Sequence, residues 1–163
     1  YLGEALDSIF AQTYRPLEVI VVDDGSTDGT PDVVARYGEQ VAYLKQANAG
    51  PAAARNRGLS VAKGEFVAFL DADDLWHEEK LARQMARFRA RPELELCITH
   101  IKNFWVPELK HEEERLKDHN ISKNLPGYLC QTILARRTLF DKVGGFNVSL
   151  RIAEDAEIGR AHV

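Results

Sequence analysis

Three aspartates stand within four positions at Asp71-Ala72-Asp73-Asp74, directly after the apolar run 66–70. Carboxylates that close either repel one another or share a cation, and hard oxygen ligands suit Mg2+ or Mn2+. A metal held by one or two carboxylates takes its other ligands from a substrate pyrophosphate and from water. The competing reading is an acidic loop capping the next helix, and the triplet alone does not separate the two. A second acidic turn, Asp23-Asp24-Gly25-Ser26-Thr27-Asp28, follows the apolar run 17–22. By itself it reads as a polar turn with helix-capping residues, because Asp, Ser and Gly dominate turns. A calcium loop fails on count: starting from Asp24, the twelfth position is Ala35, where a bidentate glutamate is required. Gly50-Pro51 opens a helix whose first amides point outward, and Arg55 lies one turn further on, a combination able to hold a phosphate anion. Ordinary exposed helix residues are the alternative for Arg55 and Arg57. Glu154-Asp155 follows Gly144-Gly145-Phe146, and a carboxylate there serves as general base if the fold returns it to the acidic cluster. Otherwise it is a solvated acid pair. Neither GxxxxGK[ST] nor GxGxxG occurs, which disfavours P-loop and nicotinamide enzymes.

The runs 17–22 and 66–70 read as buried strands, since both are apolar and bounded by turn residues. Between them, Thr30 as N-cap and Pro31 open a helix with Val33, Val34 and Tyr37 on its inner stripe, ending at Gly38. Residues 41–44 form a short strand, and the helix from Gly50-Pro51 carries Ala52, Ala53, Leu59 and Val61 to a stop at Gly64. Residues 77–89 are helical with Leu81, Met85 and Phe88 inward, and 94–99 return as a strand. The stretch 102–124 is charged and without strand period, a solvated helix or insertion. Strand character resumes over 128–135, and 137–143 is a short helix ending at Gly144-Gly145. Alternating strand and helix predict a three-layer α/β/α domain with a mostly parallel sheet. In such a sheet ligands sit beyond the strands' carboxyl ends, so both acidic turns open on one rim and can face one ligand.

The chain has 163 residues, 45% hydrophobic and 28% charged, with a net charge of −4. That suits one globular domain and offers no broad basic field for nucleic acid. No apolar run exceeds strand length, so neither a signal segment nor a membrane span is expected. Cys97 and Cys130 lack CxxC spacing and read as reduced core residues. Arg83, Arg87, Arg89 and Arg91 read as a solvated helix face, with contact to an anionic membrane or a lipid-linked acceptor as the alternative.

Taken in order, 8–14, 21–28, 48–58, 66–76, Gly144-Gly145-Phe146 and Glu154-Asp155 resemble the family 2 inverting glycosyltransferases of the GT-A fold. The resemblance covers nearly the whole chain, and the combination is far more specific than any one block. It implies that Asp24 recognises the nucleotide base, usually uracil, with Asp23 and Ser26 supporting that loop. Arg55 belongs to the Ala-Arg-Asn element lining the nucleotide site, Asp73 coordinates the Mn2+ or Mg2+, and Asp71 lies near ribose and metal. Asp155 is then the base for an acceptor hydroxyl. The implied partners are a UDP-sugar or similar nucleotide-sugar donor and a glycan or lipid-linked acceptor, in the cytoplasm or at the inner face of the membrane. The resemblance further implies a partial GT-A domain over 1–156 whose first strand precedes Tyr1, leaving a slot in the sheet and poor solubility. Residues 157–163 reverse-translate into a common DNA-library adapter and are expected to be a non-native tail. Rival readings are a sugar-phosphate nucleotidyltransferase, which would release pyrophosphate, and a non-catalytic nucleotide-binding remnant of the fold.

Overall fold

Leu2, Leu6, Ile9 and Phe10 recur at helical spacing and form the inner stripe of α1 (Leu2–Phe10). The computed structural model describes residues 1–117 and 125–149; Glu154, Asp155 and the tail 157–163 lie outside them. β1 (Val19–Asp23) and β2 (Val41–Lys45) pair in parallel, Val19 opposite Val41 and Asp23 opposite Lys45. A parallel pair needs a crossover, and α2 (Thr30–Ala35) supplies it. Its N-cap is Gly29 rather than Thr30, and the Asp28 carboxylate accepts from the Thr30 amide at 3.0 Å, doing the capping from one residue earlier. Leu6, Val19, Val34 and Val41 bury one another here, with the rings of Phe10 and Tyr37 stacked at 5.5 Å.

The second half begins with α3 (Pro51–Val61), β3 (Phe66–Ala68), α4 (Lys80–Ala90) and β4 (Leu96–Cys97). Of the stretch 94–99 only Leu96–Cys97 is strand; just beyond it, β5 (His100–Ile101) pairs antiparallel with β6 (Leu125–Pro126). The charged stretch holds α5 (Lys110–Leu116), whose side chains are mostly exposed, as a solvated helix should be. Residues 128–135 are a 3-10 turn at Cys130–Thr132 followed by β7 (Leu134–Arg136), and α6 (Arg137–Val143) comes next.

β7 lies between β3 and β4, antiparallel to both, so β3 and β4 run the same way with an opposed strand between them. The molecule is α/β, with the parallel β1–β2 pair beside a sheet whose ladders are antiparallel. Two apolar clusters sandwich this sheet. Leu81, Met85 and Phe88 of α4 pack with Leu134 on one side, while Leu139, Phe140 and Phe146 pack with Ala135 on the other.

Among the described residues β1 has a ladder partner only in β2, and β3 only in β7. Between their open edges lies an apolar cavity of about 620 Å³, lined by Leu6, Val19, Val21, Val67, Phe69 and Met85 among others. One-sided pairing also explains why β3 is shorter than the apolar run 66–70. No helix among the described residues is long and apolar enough to cross a membrane.

Candidate active site

β1 ends by delivering Asp23 and Asp24 to the carboxyl edge, and the two carboxylates turn to different partners. Asp23 is 4% exposed. Its Oδ1 accepts from the Ser26 amide at 2.7 Å and the Ser26 hydroxyl at 2.6 Å. Its Oδ2 accepts from the Tyr43 hydroxyl and lies 3.8 Å from Lys45 Nζ. The bonds from Ser26 and then Tyr43 hold Asp23 down at about 2, against the opposing effect of burial. The same bond pushes the Tyr43 phenol up to about 12.

Asp24 faces the loop between β2 and α3. Gln46 Nε2 donates to its Oδ1 at 2.7 Å, as does the Ala49 amide at 2.9 Å, and the Gly50 amide donates to Oδ2 at 2.8 Å. Burial works to raise its pKa, but these donors outweigh it and hold the carboxyl below the usual range. The carboxylate therefore sits at the N-terminus of α3, where the helix dipole favours negative charge. Gly25 lies between the two loops at φ +85°, and a Cβ on it would fall 2.8 Å from the Asn48 amide nitrogen.

β3 leads to the turn Asp71–Asp74, closed by the Asp74 amide on the Asp71 carbonyl at 3.2 Å. Arg55, in the second turn of α3, reaches across to Asp71 Oδ1 at 2.9 Å. The Arg55 side chain is 13% exposed against 42% for Asp71, so the ion pair stands at the inner edge of an open turn. Arg55 also lies 5.6 Å from the centre of the Phe146 ring. Its neighbour Asn56 binds the Phe146 main chain twice, donating to the carbonyl at 2.8 Å and accepting from the amide at 2.7 Å. Gly145 makes room: a Cβ there would lie 2.4 Å from Asn56 Oδ1.

Asp73 is exposed beside Asp71. Asp74 is raised by burial and then by the charges of Asp71 and Asp73, an effect opposed by a bond from Gln131. The turn thus holds more negative charge than its surroundings neutralise. Among the described residues no set of three His, Cys, Asp or Glu closes around one point. What fits is a divalent cation held by Asp71 and Asp73, its coordination completed by oxygens of a bound ligand and water.

Of the residues singled out by sequence, Asp24, Arg55 and Asp71 come together along the first two turns of α3, with Asp73 exposed in the same turn as Asp71. Asp23 and Ser26 brace the base of that group, and Asp155 lies outside the described residues. Sequence reasoning missed Tyr43, Gln46, Asn56 and Gln131. For Tyr43 a signal existed: it is two residues before Lys45, which stands opposite Asp23, so strand alternation puts both side chains on one face.

The model of the family described as glycosyl transferase family 2 matches residues 1–144. An uncharacterized glycosyltransferase of Rickettsia typhi is 31% identical over 97% of this chain and 53% of its own. Among solved structures, residues 1–349 of TarS from S. aureus in complex with UDP superpose with a TM-score of 0.75 at 28% identity, over 97% of this chain and 49% of that one. A mannosyltransferase from Pyrobaculum calidifontis, in complex with GDP-Man and Mn2+, gives a TM-score of 0.74 at 28% identity, over 98% of this chain and 47% of that one. The chain spans about half the length of the relatives it matches.

Proposed function

The chain belongs to glycosyl transferase family 2, and from that premise we propose that the protein moves a sugar from a UDP-sugar donor to an acceptor hydroxyl, with inversion and with help from Mn2+ or Mg2+. The observation that carries this reading is the engagement of both acidic loops by one helix start: Gly50 at the head of α3 binds Asp24, and Arg55 one turn on binds Asp71. A ligand with a base at one end and a diphosphate at the other has that shape. UDP in the TarS structure and Mn2+ with GDP-Man in the mannosyltransferase support the same assignment.

Asp24 faces the base. A carboxylate offers about four lone-pair sites, and three donors from the chain leave one for a base N–H. Asp23 and Ser26 fix that loop from below. Arg55 holds Asp71 in place beside the diphosphate, and Asp71 with Asp73 would hold the cation. When bound, the cation neutralises the departing diphosphate. Asp155 takes the proton of the acceptor hydroxyl, whose oxygen bonds to the anomeric carbon as the bond to the diphosphate breaks on the opposite face. One displacement inverts the configuration. The acceptor is a glycan or a lipid-linked glycan, and the donor supply places the reaction on the cytoplasmic side.

The test is an assay of the full-length protein for UDP release from UDP-sugars with and without Mn2+, with the anomeric product read by NMR. Release that needs the metal, gives the inverted anomer and falls roughly 100-fold or more in Asp73→Asn supports the reading. Release unchanged by chelator, or consumption of a nucleoside triphosphate with loss of pyrophosphate, overturns it.

A further inference from the structure

α4 carries a lysine where its packing calls for an apolar residue. Lys80 is 7% exposed, between the turn that follows the acidic cluster and the sheet. Its ammonium donates to Gln84 Oε1 at 3.0 Å and to the Ile133 carbonyl at 3.5 Å, and it stands 4.3 Å from the centre of the Trp76 ring. No carboxylate pairs with it among the described residues. Burial draws its pKa down to about 7, opposed by Cys97. A buried cation without a counter-charge is costly, and an apolar side chain of the same length would relieve that cost. What the ammonium holds is the ring.

Trp76 closes the segment that begins at Asp71. Its indole Nε1 donates to the Gln131 carbonyl at 3.0 Å, and its amide to Ser8 Oγ at 3.1 Å. Gln131 in turn bonds Asp74. Gln84, 2% exposed, donates to the Cys97 and Thr132 carbonyls at 2.9 Å each, so the far side of Lys80 is anchored to the sheet. Lys80 is therefore the joint between a rigid floor and the tryptophan that ends the acidic turn. A cation against an indole face is the strongest form of cation–π contact, more so when desolvated.

We propose that Lys80 is a positioning residue for the transfer reaction: through the face of Trp76 its ammonium fixes the end of the Asp71–Asp74 turn, and so the placement of Asp71 and Asp73 toward a divalent cation and a donor diphosphate. The proposal rests on the function given above. Groups that support first ligands of a metal change its affinity about 10- to 100-fold when removed, and Lys80 acts on the turn through the Trp76 ring, which follows Asp74 by two residues and bonds Gln131, the partner of Asp74.

The experiment uses full-length protein with Trp105→Phe as background, so that among the described residues Trp76 is the only tryptophan reporting, and compares Lys80, Lys80→Met and Lys80→Arg. Readouts are melting temperature, Trp76 emission against pH, and Mn2+-UDP affinity by calorimetry. The parent emission should step near pH 7 as the ammonium on the ring is lost; the step is absent from both variants. The Cys97 thiol on β4 and the exposed His77 beside Trp76 are the same in all three proteins, so a difference among them reports the change at Lys80. Lys80→Met should melt no lower than the parent and bind Mn2+-UDP about 10-fold more weakly, while Lys80→Arg keeps most of the affinity. If Lys80→Met binds as the parent does, Lys80 is a packing residue and the proposal is overturned while the function stands. If Lys80→Arg alone fails to fold, Lys80→Met still decides. If the parent itself does not bind Mn2+-UDP, the function falls and this role with it.

Discussion

The hydroxyl of Tyr43 donates to a carboxylate almost wholly withdrawn from solvent, a bond that is strongest while the carboxylate is charged. With the Ser26 hydroxyl bond first and the Tyr43 bond second, Asp23 drops from an ordinary 3.8 to about 2. A lowered folded-state pKa means that its stabilising effect is complete above 3.8 and is lost as the pH falls toward about 2. Tyr43→Phe removes one donor and leaves an acceptor buried. It should cost about 1–3 kcal/mol in urea unfolding at neutral pH and move the acid-unfolding midpoint upward. An unchanged acid limb would show that the Ser26 bonds alone hold the carboxylate. The individual acids were legible in the sequence because an aspartate just after a buried strand has few places to be but the ligand edge. Their partners were not. Tyr43 is 20 residues from Asp23, and Asn56 is 90 from Phe146. Distances of that kind are set by how sheets and helices stack, which side-chain spacing does not encode.

α3 begins with an unusual junction, in which Gly50 at φ +90° turns the chain into the helix and offers its amide to Asp24. The opposing loop approaches so closely that only Gly25, itself at φ +85°, fits beneath Asn48. Gly25→Ala should therefore destabilise by about 1–3 kcal/mol from backbone strain, with the steric push on Asn48 added. The same change should weaken UDP binding more than Gly29→Ala, whose Cβ would meet nothing within 4 Å. Equal effects from the two substitutions would mean that the loop tolerates the displacement. At this scale the sequence spoke clearly where a helix or strand buries one face: α1, α3, α4 and α6 stand close to where periodicity put them. It misled where hydrogen-bond partners decide. Residues 94–99 look like one strand, yet only Leu96–Cys97 pair within them, because β4 meets β7 there while β5, just beyond at 100–101, turns away to β6. The order β3-β7-β4 was equally hidden, since the apolar character of 134–135 says that a strand is buried and nothing of its direction.

At the scale of the molecule, the two main sheets share no ladder among the described residues. The β1–β2 pair and the β3–β7–β4 sheet face each other over the apolar cavity, and α3 bridges them, with Gly50 bound to Asp24 on one side and Arg55 and Asn56 bound to Asp71 and Phe146 on the other. Hydrophobic patterning predicted the strands and helices, and the resemblance predicted the fold. Neither showed that one helix would hold both banks. A nucleotide that touches Asp24 and Asp71 spans the same divide as α3 does. Its binding free energy is then shared with the docking of the two sheets, and by mass action the protein should melt higher as ligand rises, by about 2.7 kcal/mol of added stability at a hundredfold excess over Kd. A scan of melting temperature against UDP with Mn2+ reads this directly, and a flat response would mean that the nucleotide does not bind the folded protein in preference to the unfolded one. Under the proposed function, donor affinity and fold stability become two faces of one linkage: anything that loosens the helix between the sheets weakens the hold on the donor, and the donor returns cohesion to two sheets that share no ladder among the described residues.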